Sequence, residues 1–141
     1  MAWKKLGLAV ALAALLASPA LAQLKHGYGK ALNESESKAA LFGIDMRGYS
    51  PTGKFTWREC IQPNGETLYE RPDRVMKGRL LVAPTGEACF SYEDDEYSTV
   101  SCFATFKTHD GLIFQGADDY LFITTKVVTG VKSCKPNQLI G

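Results

Sequence analysis

The chain is poor in the groups that usually carry out chemistry. It has two histidines in 141 residues, His26 and His109, and histidine is the usual general base near neutral pH. His26 falls in a polar stretch and His109 in a Thr-His-Asp-Gly turn, where a polar residue needs no catalytic explanation. No Gly-x-Ser-x-Gly elbow, His-Glu-x-x-His pair or phosphate loop occurs, which argues against the common hydrolase, zinc-protease and nucleotide-binding chemistries. The four cysteines form no Cys-x-x-Cys pair, which disfavours a structural zinc site and a thioredoxin-like redox centre. The basic residues stand singly, as at Lys54, Arg58, Lys77, Arg79, Lys107 and Lys126, so nothing suggests a nucleic-acid partner. After residue 22 no apolar run approaches the roughly 20 residues that span a bilayer. The expectation is a chain without catalytic residues, metal, cofactor or membrane span.

The first 22 residues read as a cleavable signal peptide. Lys4 and Lys5 precede an apolar run from Leu6 to Leu16, and Ala20-Leu21-Ala22 offers small residues at cleavage spacing. The residue after the expected cut at Ala22 is Gln23 rather than cysteine, which argues against a lipid anchor, and free export to a bacterial periplasm is expected. Removing Lys4 and Lys5 changes the formal net charge from +1 to slightly negative. Residues 23–32 read as a loosely held N-terminal arm, and 33–141 as a single disulfide-stabilised β domain.

One helix signal opens that domain. Asn33 can cap the first free amides, Glu36 sits in capping-box position and Gly43 supplies a left-handed stop, which predicts a helix from Glu34 to Phe42. From Phe55 onward, short strand-like runs alternate with turn chemistry at roughly ten-residue spacing. Gln62-Pro63-Asn64-Gly65 is the clearest turn, and seven strands result. Short links pair neighbours in sequence, so the fold class is mainly β: an antiparallel up-and-down meander curling into a small barrel, with one short N-terminal helix. Phe55, Trp57 and Ile61 share one side of the first of these strands, and Thr56, Arg58 and Cys60 the other. The alternation alone leaves open which side faces inward. Phe90, Phe103, Phe106, Phe114 and Phe122 read as core.

An even number of cysteines in an exported chain points to disulfides, with three possible connectivities. A two-residue loop at Asp95-Glu96 sets Cys89 directly opposite Cys102, within bridging distance. Cys60 is then left to pair with Cys134, tying the first of the seven strands to the segment after the last. Glu93, Asp94, Asp95 and Glu96 read as the wet tip of that hairpin; calcium loops need alternating acids and a glycine that this stretch lacks. Asp118 and Asp119 read likewise. A two-residue Asn64-Gly65 loop, in turn, sets Glu59 opposite Glu70, the one carboxylate pair suited to a small glycan-cleaving enzyme.

From Leu32 to Cys134 the layout resembles small exported β-proteins of alphaproteobacteria. The shared motifs are Trp57-x-Glu59, Pro63-x-Gly65, Gly78-Arg79-Leu80, Cys89-Phe90-x-Tyr92 and Ser101-Cys102-Phe103. These motifs are structural and carry no chemistry. The segment from Tyr120 to Lys126 is similar to a Tyr-x-x-x-Thr-Lys-Gly stretch of periplasmic lysozyme inhibitors, although its Thr-Lys pair is displaced by one residue and Val127 replaces the glycine. Cys134-Lys135-Pro136 resembles the Cys-Lys-Pro loop of another inhibitor family, without the His-Asp-Cys that follows it there. This likeness implies a muramidase partner, with Tyr120, Lys126 and Lys135 as contacts and a lysine inserted toward paired carboxylates. The functional expectation is a non-catalytic periplasmic binding or envelope-maintenance protein, in its sharpest form a muramidase inhibitor; the alternatives are the carboxylate enzyme and a barrel holding an apolar ligand.

Overall fold

A computed structural model describes residues 27–93 and 99–136. Helix α1 (Glu34–Leu41) precedes eight strands: β1 (Ile44–Ser50), β2 (Phe55–Ile61), β3 (Glu66–Arg71), β4 (Arg74–Val82), β5 (Ala88–Tyr92), β6 (Val100–Lys107), β7 (Leu112–Gln115) and β8 (Leu121–Thr129). Each strand pairs antiparallel with the next, and β8 returns to pair with β1, closing the barrel. The fold class is the expected one, but the strands number eight rather than seven. The additional strand is β1, which completes the ring and so removes both sheet edges.

β1 escapes a sequence reading because Gly48 interrupts its alternation, and a glycine inside a strand ordinarily weakens it. Here the glycine is required by close approach. A Cβ at Gly48 would stand 1.9 Å from the Ile123 carbonyl oxygen and 2.7 Å from the Trp57 ring. The register between β1 and β8 shifts at Arg47/Gly48, a bulge that helps bend the ring shut.

Helix α1 has the expected capping box: Asn33 accepts from the Glu36 amide at 2.9 Å, and Glu36 accepts from the Asn33 amide at 2.8 Å. It ends one residue earlier than expected, with Phe42 as its cap and Gly43 at φ +76°. Its buried edge is Ser37 and Leu41, one turn apart. Ser37 Oγ donates to the Gly86 carbonyl in the β4–β5 turn (2.6 Å), and the Phe42 ring lies beside Gly65 in the β2–β3 turn. The helix therefore crosses one end of the barrel. Beneath it Leu41, Ile44, Ile61 and Ala88 are at most 2 % exposed, whereas inner-face residues toward the other end, such as Phe55, Met76 and Phe122, are half-buried. One end is plugged, and among the described residues the other is the more open, the mouth.

The β2–β3 hairpin closes around three residues rather than two, with Gln62 donating to the Glu66 carbonyl and Gly65 at φ +87°. That single extra residue shifts the register by one. Arg58 pairs with Glu70, and Glu59 pairs with Tyr69. The expected opposition of Glu59 and Glu70 is thus replaced by an ion pair on the outer surface and an acid turned inward.

Both disulfides form as expected: Cys89–Cys102 across the β5–β6 rung, with Cα atoms 4.0 Å apart, and Cys60–Cys134 at 5.7 Å. Residues 27–32 of the expected arm run beside β6, where the Leu32 amide donates to the Thr105 carbonyl and the Tyr28 ring packs against Phe106. Phe106 is consequently core on the outer side of the sheet, unlike the inward Phe90, Phe103, Phe114 and Phe122. Residues 1–22, His26 and the acidic tip at Asp94, Asp95 and Glu96 lie outside the described residues.

Candidate functional site

The inner face of the barrel is set by period two. On β2 it carries Phe55, Trp57, Glu59 and Ile61, so one acidic residue sits in an otherwise apolar row. Between the plug and the mouth these side chains do not fill the lumen. A cavity of about 170 Å³ remains, lined by seven aromatic residues together with Met46, Glu59 and Ser101. The rings meet mostly edge to face: Trp57 with Phe122 at 5.7 Å, and Phe103 with Phe122 at 5.5 Å. Such contacts hold the rings in fixed orientations, which favours a preformed pocket over a collapsed one.

Glu59 is 3 % exposed. Burial pushes its carboxyl up to about 8, against the opposing effects of the Tyr92 hydroxyl and of Thr67. Near pH 7 the group is therefore mostly a neutral acid. Tyr92 Oη donates to Glu59 Oε2 at 2.7 Å. Oε1 is left to carry the acid proton, and it has no hydrogen-bond partner; nor does Trp57 Nε1. Thr67 lies one rung away on the same inner face, but its hydroxyl is likewise without a completed hydrogen bond. Unpaired buried polar atoms cost roughly 1–3 kcal/mol each, so two of them on residues lining a cavity mark a place where a ligand can gain affinity. Tyr69 and Tyr92 are raised above the ordinary phenol range, again chiefly by burial, and stay neutral.

The outer face carries a second cluster. Arg58 donates through Nε and Nη2 to Asp45, and through Nη1 to Glu70 (2.8 Å) and the Lys135 carbonyl (2.9 Å). The Asp45 hydrogen bond, ahead of that from Glu70, raises the guanidinium further above its ordinary value in spite of burial. The Cys134 amide donates to Gln62 Oε1, so a disulfide and two hydrogen bonds strap the segment after β8 to β2 and its turn.

The three residues expected to meet a partner are not all together. Lys126 is exposed on the outer face of β8 opposite Arg47, which in turn pairs with Arg58 on β2. Lys135 is exposed on the strapped segment at Arg58. Tyr120 instead sits half-buried at the mouth, its ring 5.3 Å from Phe122. His109 is exposed and contacts Asp110 alone among the described residues. Asp118 and Asp119 occupy left-handed positions in a short turn, at φ 55° and 58°, a conformation that aspartate tolerates better than most residues. Among the described residues no group of three potential ligands could hold a metal, and no helix is long and apolar enough to cross a membrane. Two disulfides fit an oxidising compartment, extracellular or periplasmic.

Sequence reasoning took Glu59 as half of an acid pair with Glu70 and missed it as a single interior acid. The signal was present in the parity of Phe55, Trp57, Glu59 and Ile61, which places the acid on the aromatic side whatever the turn does. Compared with protein families, with curated proteins and with solved structures, the chain finds no match.

Proposed function

We propose that this chain is a non-catalytic binding protein of the periplasm that holds one small, mainly apolar molecule in its lumen. The observation that supports this reading is the cavity itself: about 170 Å³, walled by aromatic rings, closed by α1 at one end and carrying one buried carboxyl. A cavity of roughly 150 Å³ accepts benzene, so the ligand is on the scale of one ring with a short substituent. The test uses Trp57, the one tryptophan after residue 22 and part of the cavity wall. Native mass spectrometry of protein isolated from its own host is expected to find a bound small molecule, and titration with small aromatic compounds is expected to shift Trp57 emission. A mass equal to that of the bare chain, with emission unmoved by any such compound, excludes the reading.

A second reading, inhibition of a peptidoglycan-cleaving muramidase, is favoured by the outer face. Lys126, Arg47 and Arg58 occupy adjoining rungs of β8, β1 and β2, and the chain at Lys135 is fastened to the same row. Asp45 and Glu70 more than offset Arg58, and Arg47, Lys126 and Lys135 still leave the row with an excess of positive charge suited to an acidic cleft. On this reading the purified protein slows a muramidase, and Lys126→Ala or Lys135→Ala weakens the effect about tenfold or less, the scale of one exposed ion pair. A panel of such enzymes running at full rate in its presence removes this second reading.

A further inference from the structure

If the lumen is a binding site, its lining also specifies the charge of what it holds. Seven aromatic residues line a space about 170 Å³ in volume, and the electron-rich faces of such rings attract cations. The ionisable side chain in that wall with a proton to lose near neutrality is an acid, Glu59, at 3 % exposure and with one oxygen unpaired. Arg71, farther along the inner row of β3, is not part of the cavity wall: it stacks over Phe55 at 4.0 Å and its charge is paired with Asp73 at 3.2 Å, although its Nε completes no hydrogen bond. We propose that the lumen takes a small organic ammonium ion, a single ring bearing a short amine arm, whose nitrogen pairs with the Glu59 carboxylate while the rings enclose the rest.

A neutral acceptor would be served as well by a hydroxyl, which buries without any tendency to ionise. A carboxyl differs in being able to become a full negative charge when a cation arrives. The neighbours leave that role to Glu59. Opposite it stand Met46 on β1 and Tyr69 on β3; Tyr92 on β5 donates to it, and Ser101 on β6 shares the cavity wall. Of these the two tyrosines titrate, and burial holds both neutral well beyond pH 7. In the empty barrel Glu59 keeps its proton. When the ammonium enters, the carboxyl O–H bond breaks, the proton leaves to solvent and a carboxylate–ammonium pair remains, so no net charge is buried. Binding near pH 7 therefore releases close to one proton per ligand.

Isothermal titration calorimetry tests this with three probes of one size: phenethylammonium, 2-phenylethanol and propylbenzene. Titrations at pH 7 in phosphate and in Tris, which differ in ionisation enthalpy, count the protons. The expected result is at least tenfold tighter binding of phenethylammonium than of either neutral probe, with close to one proton released. In Glu59→Gln the preference should shrink to about twofold or less and the proton release should vanish. Neutral probes that bind as tightly, or binding without proton release, overturn the ammonium assignment while leaving a ligand-binding lumen. If none of the three binds, the lumen reading falls with it. Should Glu59→Gln not fold, the proton count and probe ranking on the unaltered protein decide alone.

Discussion

Replacing Glu59 by glutamine is expected to stabilise the barrel, and increasingly so as the pH rises. The ordinary carboxyl value of 4.5 applies to the unfolded chain, and about 8 to the folded one. Between those values the folded state holds a proton that the unfolded state has lost, so stability falls as pH rises through the window. This is the reverse of a salt-bridged carboxylate. Each pH unit removes about 1.4 kcal/mol, and the loss from Glu59 between pH 5 and pH 8 comes to about 3.5 kcal/mol. Below pH 4.5 both states are protonated and the loss disappears. Glutamine keeps the shape and still offers Tyr92 an oxygen, but it cannot ionise. Guanidinium denaturation of both proteins at pH 5 and pH 8 isolates the effect, because every other titrating group contributes equally to the pair. The free-energy gap in favour of the variant should widen by about 3.5 kcal/mol across that range. A gap that stays constant within about 1 kcal/mol would refute the assignment of a buried neutral acid.

Two further substitutions test the frame around the lumen. Arg58→Ala removes the guanidinium that Asp45 and Glu70 share, with both side chains mostly shielded from solvent; unfolding in urea should show a loss of about 3 kcal/mol, whereas a loss below about 1 kcal/mol would mean the cluster is effectively solvated. Gly48→Ala drives a methyl group into the Ile123 carbonyl and the Trp57 ring, both backed by packed structure; a drop of more than about 2 kcal/mol, or loss of the folded protein, is expected, and a stable variant would contradict the close β1–β8 approach.

The features legible in the sequence are those that depend on parity and spacing. The Cys89–Cys102 rung follows from counting across one hairpin, and Cys60–Cys134 follows as the remainder. The capping box at Asn33 and Glu36 is local chemistry and was legible for that reason. Two things were not. β1 was hidden because the need for Gly48 arises from β8 and from Trp57, which are distant in sequence. The Glu59–Tyr69 register turned on whether the Pro63-Asn64-Gly65 turn holds two residues or three, a choice that the letters Asn-Gly do not make by themselves. The cavity is a volume left between side chains of seven strands, and no single stretch of sequence carries it.

The placement of Glu59 has a mechanical side that its chemistry depends on. An acid in an apolar lumen is under a constant pull toward water, worth about 3 kcal/mol at pH 7. In a barrel of short strands, local fraying would be the easiest way to relieve it. Both sequence neighbours oppose that motion. Arg58 points outward and is held by Asp45, Glu70 and the Lys135 carbonyl, and Cys60 points outward and is covalently joined to Cys134. The disulfide spans 74 residues and ties β2 covalently to the segment after β8, so this part of β2 cannot move away from that segment. The staple and the ion cluster thus sit one residue to either side of the acid, on the opposite face of the same strand. With β2 pinned there, opening the strand toward solvent is a harder route to ionisation of Glu59, and on the proposed reading an ammonium in the lumen is the easier one.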